Sequence, residues 1–121
     1  MTAQSAEAVV RRFFEVWNSG DVAGFDDLVH PDFEEVWAPS PGYGRGPVGA
    51  RASYTATMTR CSEIHFDLED VIARDDAVAC RTTFHFTARS SGDAGRMIGM
   101  NMFHLTSGKI RREWYVYTKV S

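Results

Sequence analysis

From Ser5 to Asn18 apolar residues recur at three- and four-residue steps. Ala6, Val9 or Val10, Phe13, Phe14 and Trp17 form one wide stripe, the period of an amphipathic helix. Ser5 can cap its start, and Glu7 sits in the first turn, where the helix dipole favours an acid. Gly20 ends the pattern. Asp21 is expected to cap a short second helix through Val29, with Phe25, Leu28 and Val29 facing in. His30-Pro31-Asp32 stops it, because proline disfavours helical geometry in the residue before it. Phe33 to Ala38 alternates as a short strand, with Phe33, Glu35 and Trp37 on one face and Glu34 and Val36 on the other. The proline- and glycine-rich stretch from Pro39 to Pro47 reads as a loop. Pro47 then suits the first turn of a third helix running to about Arg60, with Val48, Ala52, Thr55 and Met58 or Thr59 on one side.

Beyond Arg60 the period changes to two. Strands are expected over Glu63–Ala73, Ala77–Arg89, Arg96–Leu105 and Ile110–Val120. Their connections are Arg74-Asp75-Asp76, the polar stretch Ser90–Gly95, and Thr106-Ser107-Gly108-Lys109. Helices gathered early and strands gathered late predict an α+β fold with an antiparallel sheet. The final hairpin carries the most informative alternation. Glu113, Tyr115 and Tyr117 share one strand face, and Trp114, Val116 and Thr118 share the other. A glutamate in an aromatic row predicts that this hairpin floors a small-molecule pocket.

A chain of 121 residues with 44% hydrophobic content suits one domain with a packed core. Net charge is −3, and the basic residues form no stripe, which argues against nucleic-acid binding. Cys61 and Cys80 make no framework and are expected to be free thiols in a reducing compartment. No apolar run reaches membrane-spanning length, and Met1–Ala8 has no signal-peptide character. The expectation is a cytoplasmic protein with no membrane partner.

Three local signatures accompany the element order: Phe14-x-x-Trp17-Asn18-x-Gly20-Asp21, Leu28-x-x-Pro31-Asp32 and Gly108-Lys109-Ile110-x-x-x-Trp114. Together they resemble the nuclear-transport-factor-two-like superfamily, above all its SnoaL-like polyketide cyclase and ketosteroid isomerase branches, over nearly the whole chain. The resemblance implies a cone-shaped α+β barrel whose curved antiparallel sheet wraps round the long first helix, a central cavity for a hydrophobic molecule, and a homodimer formed through the outer sheet face. It implies cofactor-independent chemistry on a carbonyl-containing, polyketide- or steroid-like substrate: isomerisation, cyclisation or dehydration. In the isomerase branch the oxyanion-hole tyrosine, the base and the second acid fall at Phe13, close to Trp37, and at Asn101. In the cyclase branch a His-x-Asp pair falls at Glu113 and Tyr115, and an earlier histidine at Asn101. The side chains differ from both patterns, so the resemblance locates a site without naming a reaction.

The candidate catalytic residues are therefore Glu113, Asn101, Tyr115 and Glu35. Two carboxylates in one cavity can divide acid and base roles if their environments differ. Asn101 and the tyrosines can donate hydrogen bonds to an oxyanion. Tyr117, Trp37, Phe13, Trp17, Tyr54 and Met58 are the candidate substrate-binding wall. The bland readings are a surface Glu113 paired with a nearby cation, a solvated Glu35 and ordinary core aromatics. His30, His65, His85 and His104 show no metal-ligand spacing, and no cofactor motif occurs. Two other functions fit the same fold: a non-catalytic binding or assembly module, and an epoxide hydrolase using Arg81.

Overall fold

The computed structural model describes residues 2–36 and 43–120. The apolar stripe lies on α1 (Ala3–Ser19), which buries Ala6, Val10, Phe13, Phe14, Val16 and Trp17. Its N-cap is Thr2 rather than Ser5: the Thr2 hydroxyl accepts from the Ser5 amide at 3.1 Å. Gly20 closes α1 in the left-handed conformation, φ 77°, with its amide donating to the Val16 carbonyl. A Cβ at Gly20 would also lie 2.8 Å from the Tyr54 hydroxyl, which would have to shift to admit it. The neighbouring Asn18 pairs like a strand residue. Its amide donates to the Phe66 carbonyl at 2.9 Å and accepts from the Phe66 amide at 2.7 Å. The helix is thereby fastened to the sheet.

The expected second helix is shorter than its sequence suggests. A 3₁₀ turn (Val22–Gly24) leads into a single turn, α2 (Phe25–Leu28). β1 (Val29–Glu35) begins at once, with Pro31 inside it rather than in a break before Phe33. β1 lies at the sheet edge, where a residue without an N–H is tolerated. Its register with β5 is irregular between Val29 and Glu34, and Arg111 satisfies the Asp32 carbonyl at 2.7 Å. The expected strand positions 37 and 38, and positions 39–42 of the expected Pro39–Pro47 loop, lie outside the described residues.

α3 (Gly46–Arg60) starts with proline in its first turn, as expected. Its buried face is not the expected one. Gly46, Gly49, Ala50 and Ser53 are buried, while Val48 is 67% exposed. Small residues let the helix approach closely: a Cβ at Gly49 would fall 2.1 Å from the Gly44 carbonyl oxygen.

The remaining strands are β2 (Cys61–Arg74), β3 (Ala77–Ala88), β4 (Ala94–Thr106) and β5 (Lys109–Lys119). The sheet order is β1-β5-β4-β3-β2, with β1 parallel to β5 and the other pairs antiparallel. Bulges in β2 between Cys61 and Glu63 and between Leu68 and Asp70 help to bend the sheet. The two left-handed residues Ser107 and Gly108 make the tight turn between β4 and β5. Among the described residues, three α-helices and a five-stranded, curved, unclosed sheet form the predicted α+β architecture. α1 packs in the concave face. Phe103, fully buried on β4, meets Phe13 and Phe14 with ring centroids 5.7 and 5.8 Å apart. Among the described residues no helix is long and apolar enough to cross a membrane.

Candidate active site

The concave face leaves a cavity of about 740 Å³ between α1, α3 and the sheet. Alternation on β5 sends Glu113, Tyr115 and Tyr117 into it, while Val116 stays half exposed on the outer face. β1 adds the second carboxylate. Glu35 lies directly beside Glu113 in the parallel β1–β5 pairing. The Val36 amide donates to the Glu113 carbonyl at 2.7 Å, which pins the two positions together. Phe13, Phe14, Trp17, Phe66, Phe84 and Phe86 supply much of the apolar wall.

The two carboxyls have unequal surroundings. Glu113 is 6% exposed, and burial pushes its pKa well above the ordinary value. The neighbouring Glu35 charge pushes it in the same direction, while a hydrogen bond from Asn101 opposes both. Burial also raises Glu35, but Ser53 and Tyr115 both donate to it and favour its charged form. The Tyr115 hydroxyl is 3.1 Å from Glu35 Oε2. Glu35 is therefore the carboxyl suited to ionise first, and Glu113 the one suited to keep a proton.

A polar network supports this pair from the sheet. Thr82 Oγ1 lies 2.9 Å from Asn101 Oδ1 and 3.0 Å from the Tyr117 hydroxyl. Asn101 Nδ2 donates to that hydroxyl at 3.2 Å. Asn101 itself lies behind the cavity wall, 5% exposed on β4, rather than lining it. Burial raises the proton affinity of both tyrosines, so each stays a neutral donor. Cys80, also buried beneath this region, is pushed up to about 12, first by burial and then by the Glu113 charge. It stays a thiol at neutral pH, which removes it as a nucleophile.

Gly99 makes room for the network. A Cβ there would fall 2.2 Å from the Tyr117 ring. Gly99→Ala is expected to displace that ring and break its bonds to Thr82 and Asn101. The expected cost is about 1–3 kcal/mol, the range for overpacking a filled site. Urea denaturation measures it, and an unchanged midpoint would show that the ring shifts freely.

The SnoaL-like domain model matches residues 10–113. The chain belongs to the SnoaL-like family. Solved structures agree on the fold. TsrD from Streptomyces laurentii aligns with TM-score 0.84 at 21% identity, covering 97% of this chain and 90% of its own. A SnoaL-like polyketide cyclase from Agrobacterium tumefaciens aligns at 0.80 and 17%, covering 93% and 91%. IdmH from Streptomyces antibioticus, provisionally described as a polyketide cyclase, aligns at 0.79 and 21%, covering 93% and 91%. No protein of curated function matches the chain in sequence.

In this SnoaL-like protein, Glu113, Tyr115, Tyr117, Glu35, Phe13 and Trp17 converge on the cavity. Tyr54 and Met58 are not among its lining residues. Tyr54 packs on Trp17, ring centroids 5.4 Å apart, and supports the wall from behind. The Met58 carbonyl accepts from Arg89 Nε at 2.7 Å. Trp37 lies outside the described residues. Arg81 points away from the cavity and binds Asp70 at 2.9 Å on the outer face, so it is not placed for epoxide opening. His85 binds Asp67 at 2.8 Å, and His104 packs on Trp114, both on that same outer face. Sequence reasoning missed Ser53 and Thr82. Each is a small hydroxyl among apolar neighbours, and only its partner gives it meaning.

Proposed function

We propose that this SnoaL-like protein is a cofactor-independent acid/base enzyme for hydrophobic carbonyl compounds. One observation carries the reading: Glu35 and Glu113 sit side by side on paired strands, face one apolar cavity, and have unequal hydrogen-bond partners. Glu35, held as a carboxylate by Ser53 and Tyr115, takes a proton from the carbon next to a substrate carbonyl. The C–H electron pair becomes the enolate π bond, and the carbonyl pair moves to oxygen. Glu113, protonated, donates to that oxygen or, once the enolate has rearranged, to a second carbon. Tyr117 adds a neutral donor beside it. Protonation at the second carbon completes isomerisation; in aldol-type ring closure the enolate carbon attacks a second carbonyl and Glu113 protonates the alkoxide that forms; in dehydration the enolate pair expels a β-hydroxyl that Glu113 protonates as water. The cyclase names among the structural relatives favour ring closure of a polyketide-like chain.

Proton exchange at carbon tests the first step without knowledge of the natural product. In D₂O the protein is expected to accelerate α-deuteration of apolar ketones such as 2-tetralone, followed by NMR. Glu35→Gln is expected to lower that rate about 10²–10⁴-fold, the usual share of a positioned base. No acceleration across a panel of apolar ketones and β-keto esters would remove the acid/base reading. The rate should follow a bell in pH. Its acid limb is the ionisation of the first carboxyl, displaced above the ordinary glutamate value of 4.5, and its alkaline limb the loss of the second proton.

The outer sheet face exposes Ile98, Met100, Met102 and Val116. An apolar patch of this kind supports a homodimer. Sedimentation at twice the 13.5 kDa chain mass is the expected result, and a monomer at micromolar concentration would refute it.

A further inference from the structure

The cavity has a second chemical end, distinct from the carboxylates. Arg60, at the end of α3, and Arg89, just past β3, line it together with Thr59 and Ser90. The two arginines are held together by backbone: the Arg89 amide donates to the Arg60 carbonyl at 2.9 Å. Arg89 Nε is anchored on the Met58 carbonyl at 2.7 Å, which leaves its Nη groups for another acceptor.

Lining the cavity without a counter-charge sets them apart: Arg74 and Arg96 also lack a carboxylate partner among the described residues, but neither lines the cavity. Arg45, Arg111 and Arg112 each lie within 3.8 Å of Glu34, Arg51 pairs with Asp26, and Arg81 with Asp70. Among the described residues, neither Arg60 nor Arg89 has a carboxylate partner. Two neighbouring cations without an anion repel one another, and here they sit at the edge of an apolar cavity in a chain of net charge −3. Between the two ends lie Phe84 and Phe86 of β3. Seven residues of α3 separate Ser53, which bonds Glu35, from Arg60. At 1.5 Å per residue that is about 10 Å, the length of two or three fused rings.

We propose that the substrate is an aromatic or polycyclic keto acid, its carboxylate bound by Arg60 and Arg89 and its ring body stacked along Phe84 and Phe86. The placement of its reactive carbon beside Glu35 and Glu113 rests on the acid/base reading above. The anion site does not.

Two fluorescent probes of one shape separate charge from apolar burial: anilinonaphthalene sulfonate and its neutral parent N-phenylnaphthylamine. Mutual displacement should show that they share the cavity. The wild-type protein is expected to bind the sulfonate about tenfold more tightly. Arg60→Gln and Arg89→Gln are each expected to weaken the sulfonate about three- to fivefold, the range of partly exposed ion pairs, and to leave the neutral probe unchanged. Arg89→Lys should retain most of the preference even if the loss of its bond to α3 loosens the helix end. Raised salt should erode the preference, as screening requires. Equal affinity of the wild type for both probes, or variants that weaken both equally, would overturn the anion site. The assay involves no turnover. Failure of the carboxylate chemistry would leave the preference intact, and loss of the preference would leave deuteration of a neutral ketone intact.

Discussion

Glu113→Gln lowers α-proton exchange or turnover by about 10²–10⁴-fold, the expected loss when a positioned acid can no longer deliver a proton. The same substitution makes the fold more stable at neutral and alkaline pH. The physical cause is shared. Burial and the Glu35 charge raise the proton affinity of Glu113 in the native state above that of an unfolded glutamate. The native state therefore binds more protons, and stability falls as pH rises. The contribution is fully present below about pH 4.5, the ordinary glutamate value, and is lost progressively as pH climbs through the raised one. Each unit between those two values is worth about 1.4 kcal/mol. Glutamine cannot ionise, so the variant should keep what the wild type loses. Urea titrations at pH 5 and pH 8 measure the difference. Wild-type and variant midpoints moving in parallel would mean that Glu113 is neither dry nor protonated. An inactive variant with a flattened stability profile would connect the loss of rate to the missing proton rather than to misfolding.

Phe103→Ala is the substitution expected to harm the fold most. The side chain is fully buried on β4 and touches both Phe13 and Phe14 of α1, so it joins the helix to the sheet. Truncating a buried phenylalanine costs about 3–5 kcal/mol through lost burial and the void left behind. That is a large part of a typical domain stability of about 5–15 kcal/mol, and the melting temperature should fall by about 10–20 °C. Phe103→Leu keeps most of the volume and should cost less than half as much. Phe103 also lies opposite Glu113 in the β4–β5 register. Water entering the void would lower the proton affinity of Glu113, so the alanine variant should lose part of its pH-dependent stability as well. Calorimetry across pH reads both effects, and a drop of only a few degrees would show that α1 can settle into the space.

Much of this was legible in the chain because strand and helix periods are local. Alternation alone puts Glu113, Tyr115 and Tyr117 on one face, and the stripe from Ala6 to Trp17 selects the buried side of α1. The same local reasoning went astray where partners are distant or backbone rules are conditional. Pro31 stops a helix, yet it sits inside β1 because an edge strand does not need its missing N–H. The apolar positions Val48 and Ala52 suggested one face of α3, but close approach to the Gly44 backbone required Gly49 and carried Ser53 inward instead.

Residue type, strand period and the order of elements, all carried by the chain's local chemistry, were enough to reveal an α+β fold and an acid among aromatics. They offered Glu35 as a second carboxylate but could not place it directly beside Glu113. Glu35 is 78 residues earlier and reaches Glu113 only because β1 joins β5 in parallel, a pairing that no hairpin predicts. The unequal proton affinities of the two acids come from Ser53 and Tyr115 on one and from burial on the other. Desolvation and long-range hydrogen bonds exist only once the chain is packed, and those are what give two ordinary glutamates the unequal proton affinities that the proposed acid/base pair requires.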